Sequence, residues 1–132
     1  MTLIAVEGCT FDIQPVVPGQ GVWNGAPPTV VALPSLKVKA EGKGVYKSPL
    51  ALLTAAASVT NPTALATIPD PLPYPVNITT TATKSKADGV LVMLEGDFID
   101  QIFNPTTALG VPVPTTMRIS IKTAGQTTST TN

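Results

Sequence analysis

Three stretches of this chain end in the same way: Lys39-Ala40-Glu41-Gly42, Lys86-Ala87-Asp88-Gly89 and Lys122-Thr123-Ala124-Gly125. Each follows a short alternating segment and closes on a glycine, which takes the positive φ of a tight β-turn at no steric cost. Aligned on the glycines, the inward positions are Leu36 and Val38, Thr83 and Ser85, and Ile119 and Ile121. Lys37 and Lys39, Lys84 and Lys86, and Ser120 and Lys122 face outward. The spacings, 47 residues from Gly42 to Gly89 and 36 from Gly89 to Gly125, are too irregular for a solenoid. The pattern predicts a mainly β, pseudo-threefold arrangement of hairpins, one per sector.

A chain of 132 residues is one ordinary domain. Its 14 prolines, 10 glycines and many threonines favour short strands, turns and extended connectors. Residues 3–11 read as a first strand, and 15–28 as a turn-rich tract in which Trp23 pins a loop onto the core. Ser48 before Pro49 is a helix start signal, so the apolar run within 46–59 is the one short helix expected, ended by Asn61-Pro62. Residues 63–75 read as a Pro-rich connector. Residues 98–103 fit a helical turn or a bent strand, and Met117 to Ile121 alternates as a strand. The polar tail from Thr127 to Asn132 is a last edge strand or disorder.

Eight basic residues balance eight acidic ones. This excludes a nucleic-acid binder driven by a basic surface and a polybasic membrane anchor. With no histidine, the commonest general base and metal ligand is missing. Cys9 is the single cysteine, so no intrachain disulfide forms, and a lone cysteine of this kind is most often a small buried hydrophobe. The N-terminal residues lack the basic and long apolar regions of a secretory signal.

From Asp88 to Asp97 the chain reads Asp-Gly-Val-Leu-Val-Met-Leu-Glu-Gly-Asp. This resembles the hairpin of the PAAR-repeat proteins: a turn ending in Gly, a strand, and a closing Gly-Asp, here Gly96-Asp97. Leu91-Val92-Met93-Leu94 fills the slot of the tetrapeptide that names the family. The resemblance covers this hairpin well, the other two turns loosely, and the Pro-rich connectors not at all. It implies a single PAAR-like β domain over 1–132, cone-like in shape, with structural turns at Gly42, Gly89, Gly96, Asp97 and Gly125. It also implies the family's role, capping and sharpening the trimeric β-helical spike of a contractile phage tail or a type VI secretion-like injection machine. The implied partners are a trimeric spike protein, VgrG-like or a tail-hub spike, at one copy per trimer, an effector as further cargo, and transient contact with a target membrane. Nucleic acid is not among them. The protein would be made in the bacterial cytoplasm and end at the tip of a particle. The family's metal site uses three His and one Cys; without His it cannot exist here as such, so no cofactor is expected.

No enzyme chemistry is expected. Glu95, Asp97 and Asp100 could in principle pair for glycoside hydrolysis, but Gly96-Asp97 reads as a turn and Asp100 as its solvated neighbour. The spike-binding residues are not fixed by the sequence; an apolar base is expected among Val30 to Leu33, Val90 to Leu94 and Leu109 to Val113. The alternative function is another virion structural protein, a head-decoration or fibre-attachment subunit.

Overall fold

Alternation of buried and exposed side chains runs through almost every longer extended segment, and the computed structural model, which describes residues 2–131, turns it into sheets. The first sector holds β1 (Thr2–Leu3), β2 (Thr10–Pro15), β3 (Val22–Trp23) and β4 (Thr29–Val30). The second holds β5 (Lys39–Ala40), β6 (Lys43–Gly44), β7 (Leu50–Leu53), β8 (Val59–Thr60) and β9 (Pro75–Ile78). The third holds β10 (Lys86–Ala87), β11 (Val90–Leu91), β12 (Phe98–Phe103) and β13 (Thr115–Thr123), after which β14 (Thr130–Thr131) returns to the first. The protein is mainly β, as expected.

Two three-stranded antiparallel sheets, β4-β7-β9 and β12-β13-β2, form the body. Their inward positions, Leu50, Leu52, Val76, Ile78, Ile119 and Ile121, make the main core with half-buried Phe11 and Ile13. At one end of the body lie three two-stranded hairpins: β5-β6, β10-β11 and β14-β1. At the other end the loops 16–28, 54–74 and 104–114 close over Phe103. Trp23 and Tyr74 meet its ring edge-on, with centroids 6.0 and 5.1 Å away. Each sector gives one aromatic ring to this cluster, and Trp23 pins its loop as expected.

The helix expected within 46–59 does not form. Leu50 and Leu52 are fully buried, Ala51 is half-buried and Leu53 is exposed, a period of two. β7 is the central strand of its sheet, paired with β4 on one edge and β9 on the other. That placement buries two leucines and fills the hydrogen-bonding groups of both edges, and it overrides helix propensity. The alanines beyond form a turn, with Ala57 at φ 56° and the Ser58 hydroxyl donating to Ala55 O (2.9 Å). Among the described residues the helical content is a single 3-10 turn, Pro62–Ala64, capped by the Asn61 side chain. Residues 98–103 are strand. The polar tail is an edge strand at Thr130–Thr131; Asn132, like Met1, lies outside the described residues.

Two of the three expected turns close hairpins. Glu41 and Gly42 have φ of 51° and 78°, and Asp88 and Gly89 have 52° and 78°. Positive φ at both central residues is the type I′ turn of a two-residue hairpin. Gly125 also turns the chain, at φ 85°, but it closes no hairpin: Thr123 ends β13, and the third hairpin forms between the two ends of the described chain, Thr2 opposite Thr131 and Leu3 opposite Thr130. Leu36, aligned inward from the sequence, is 86% exposed, because 36–38 is not a strand.

Nothing lies within 4 Å of a Cβ added at Gly89, so a substitution there tests backbone strain alone. Gly89→Val is expected to lose about 1–2 kcal/mol, read as a melting temperature lower by roughly 5 °C. An unchanged melting temperature would show that the turn does not need positive φ.

Candidate functional site

The three hairpins feed three short strands, Ile4-Ala5-Val6, Val45-Tyr46-Lys47 and Val92-Met93-Leu94, and these close on one another. The bridges are cyclic: Ile4 with Leu94, Val92 with Lys47, and Val45 with Val6. At the centre of each strand one residue donates to one neighbour and accepts from the other. Ala5 N–H bonds Met93 O (2.8 Å), Met93 N–H bonds Tyr46 O (3.0 Å), and Tyr46 N–H bonds Ala5 O (3.0 Å). A second ring repeats the relation: Glu7 N–H to Gly44 O, Ser48 N–H to Leu91 O, and Glu95 N–H to Leu3 O, at 3.0, 2.8 and 2.9 Å. Ile4, Val45 and Val92 close the third set, each donating back within its own sector, to Ser129, Val38 and Ser85. The backbone is therefore pseudo-threefold about a shared centre.

Side chains follow the same rule. The middle residues Ala5, Tyr46 and Met93 join the main core on one side of the triangle. Their flanking residues Ile4, Val6, Val45, Val92 and Leu94 pack on the other side with Ala40, Ala82 and Ala87 as a second core beneath the hairpins. Ala40, Ala87 and Thr131 occupy equivalent hairpin positions and all are buried. Small residues there let the hairpins approach one axis.

Turn carboxylates latch the sectors together. Glu41 accepts from Thr127 N–H (2.7 Å) and from the hydroxyls of Thr127 and Thr128 (3.2 and 3.1 Å). Asp88, its equivalent in the third sector, accepts from the Ser35 hydroxyl (2.8 Å) and Lys47 Nζ (3.3 Å). The Thr127 N–H holds the Glu41 carboxyl below the usual range, and the Ser35 hydroxyl with the Lys47 ammonium does so for Asp88. Ser85 and Thr131 share a hydroxyl hydrogen bond in the remaining gap.

Beyond the triangle each strand turns: Glu7-Gly8 with Gly8 at φ 89°, Glu95-Gly96 with Gly96 at φ 92°, and Ser48-Pro49 through a cis peptide. Asp97 is buried behind this turn. Its carboxylate accepts from Leu94 N–H (2.8 Å), Thr81 N–H (3.1 Å) and the Thr81 hydroxyl (2.6 Å), tying the lead-in of the third hairpin to the ring. Cys9, at the equivalent position in the first sector, is half-buried, and burial pushes its thiol up to about 11. Asp100 is paired with Arg118 (2.8 Å), which also stacks on Phe98. Thus Asp97 and Asp100, the acidic pair weighed from the sequence, are engaged with different partners. Among the described residues no group of three His, Cys, Asp or Glu side chains is placed to hold a metal ion, and no helix is long and apolar enough to cross a membrane.

Charge is segregated along the body. Lys37, Lys39, Lys43, Lys47, Lys84 and Lys86 lie in or next to the hairpins and Lys122 lies near the end of β13, whereas the loops 16–28, 54–74 and 104–114 contain one charged residue, Asp70. Asp70 is buried and accepts from the Tyr74 hydroxyl (2.5 Å), Asn104 N–H (2.6 Å) and Leu72 N–H (3.0 Å). Burial opposes its ionisation, but these three donors outweigh it and hold the carboxyl below its ordinary value. A depressed carboxylate contributes stability that is present above the unfolded-state pKa of about 3.9 and lost as pH falls through the folded value. Asp70→Asn is therefore expected to be less stable at pH 7 and to lose less on going from pH 5 to pH 2, measured by urea unfolding. An acid limb as steep as that of the parent chain would assign acid unfolding to other carboxylates.

The ring strands do not stand out in the sequence. Their signal is present as a repeat, Val6-Glu7-Gly8 against Leu94-Glu95-Gly96, but the hairpin partner of the first lies at the opposite end of the chain. The segments expected as an apolar base do not share a face. Val92 to Leu94 are buried in the triangle, Val30 is half-buried in β4, and Leu109 to Val113 belong to the far loops. Comparisons of the chain with protein-family models, curated proteins and solved structures find no match.

Proposed function

We propose that this chain is a structural, non-enzymatic cap on the end of a trimeric β-helical spike in a contractile phage tail or injection machine, one copy per trimer. The observation that carries the reading is the closed triangle of backbone hydrogen bonds with a hairpin at each corner. The end of a threefold spike presents three identical strand edges, and such edges call for cover. One chain with three equivalent hairpins covers all of them, where an unrelated monomer would match one. The docking face is then the hairpin end, since the pseudo-threefold rule is strict there and the far loops differ in length and path. The far end becomes the apex. Its uncharged surface, with Leu65, Leu72, Leu109 and Val111 exposed, suits transient contact with a target membrane. The protein is made in the bacterial cytoplasm and carried at the particle tip.

The test is native mass spectrometry of the chain mixed with the trimeric spike of the same machine. The expected species holds one copy of this chain and three of the spike. A stable homotrimer of this chain alone, with no complex, would overturn the reading and favour a head-decoration or fibre-attachment subunit.

A further inference from the structure

The three gaps between hairpins are alike in backbone but not in chemistry. The segments leading into the hairpins, 34–38, 81–85 and 125–129, are equivalent through the bonds that Val38, Ser85 and Ser129 accept. Two of them read Thr-Ala-Thr-Lys-Ser and Gly-Gln-Thr-Thr-Ser; the other reads Pro-Ser-Leu-Lys-Val. Only this one carries a large apolar side chain, and it borders a groove of about 630 Å³ lined by Leu33, Pro34, Leu36, Lys37, Lys47 and Asp88. Leu33 and Leu36 are 85% and 86% exposed, so the groove is bordered by two large apolar side chains left open to solvent. Asp88 is already engaged by the Ser35 hydroxyl and Lys47. Lys37 adds a second ammonium, so the rim carries two cations against one occupied carboxylate.

We propose that this groove takes an apolar segment bearing a carboxylate from one subunit of the docked spike. The inference rests on the capping reading. The groove is continuous with the docking face, because Lys47 ends a ring strand and Asp88 sits in a hairpin turn. An aliphatic side chain covers Leu33 and Leu36, and its neighbouring carboxylate reaches Lys37. The lead-in segments of the other two gaps carry no leucine, so, while the hairpins cover all three edges of the spike, one subunit alone fills a groove. The groove thereby breaks the symmetry that the backbone keeps.

The experiment places a photoreactive benzoylphenylalanine at Leu36 and irradiates the complex with the trimeric spike. The expected product is one spike subunit cross-linked per trimer, at a segment containing Asp or Glu. In parallel, the Leu33→Ser/Leu36→Ser double variant and Lys37→Glu are each expected to weaken the complex about tenfold. Lys37→Glu should also reduce the loss of affinity with added salt. All three positions are exposed, so the fold is retained, as circular dichroism will verify. A one-to-three complex that forms with unchanged affinity in both variants and gives no cross-link overturns the groove while leaving the cap intact. Absence of any complex with the parent chain overturns both.

Discussion

Asp97→Ala should cost this protein about 3 kcal/mol, more than a turn substitution at Gly89. Asp97 is 2% exposed and its two oxygens accept three hydrogen bonds, two of them from backbone N–H groups. Alanine leaves the buried Leu94 N–H and the part-buried Thr81 N–H without an acceptor, and loss of a buried acceptor costs about 1–3 kcal/mol. Water entering the space left by the carboxylate would recover part of that. The midpoint of chemical unfolding should fall while its slope stays constant, and the melting temperature should drop by roughly 10 °C. Asp97→Asn keeps one acceptor oxygen and should lose about half as much. If the alanine variant is within about 1 kcal/mol of the parent, the carboxylate does not hold the third hairpin to the ring.

The second large effect is expected at the opposite end. Phe103 is 1% exposed and receives the edge contacts of Trp23 and Tyr74 together with Val59 and Met117. Phe103→Ala opens a cavity where all three sectors meet and should cost about 3–5 kcal/mol. Trp23 reports on it directly, because its ring loses a neighbour; the emission maximum should shift to longer wavelength in the folded variant. Phe103→Leu should restore part of the stability without restoring the emission. A variant that keeps both would mean that the loops close independently of the aromatic cluster.

Local turn chemistry was legible. Glu41-Gly42 and Asp88-Gly89 announce tight hairpins because few sequences tolerate positive φ at two successive residues. Gly125 announces a turn as well, yet the path of the chain beyond it is decided by a partner more than a hundred residues away, and no local pattern carries that. The same reason hid the triangle. Each of its strands is only three residues long, and the central residue of each draws its hydrogen bonds from the other two sectors, so none reads as a strand alone. The run from Leu50 to Val59 misled because leucine and alanine suit helices well; only the neighbours β4 and β9 make it a strand. Asp70 gave no sign beyond its company of prolines, since its three donors converge from Leu72, Tyr74 and Asn104 only in the folded chain. The groove beside Leu36 was invisible for the same kind of reason: Asp88 and Lys47 come to it from two different sectors.

The hairpin between Thr2 and Thr131 has a use in protein engineering. Thr131 faces Thr2 as Ala40 faces Lys43 and Ala87 faces Val90. In those two hairpins two residues bridge the gap, so a two-residue Asn-Gly turn put in place of Asn132 and Met1, running from Thr131 to Thr2, supplies the matching connection. The product is a seamless circular polypeptide, and cutting it between Glu41 and Gly42 would yield a permuted chain that begins in another sector and keeps the same fold. Joining the ends also removes conformational freedom from the unfolded chain, so the ring form should outlast the linear one on heating.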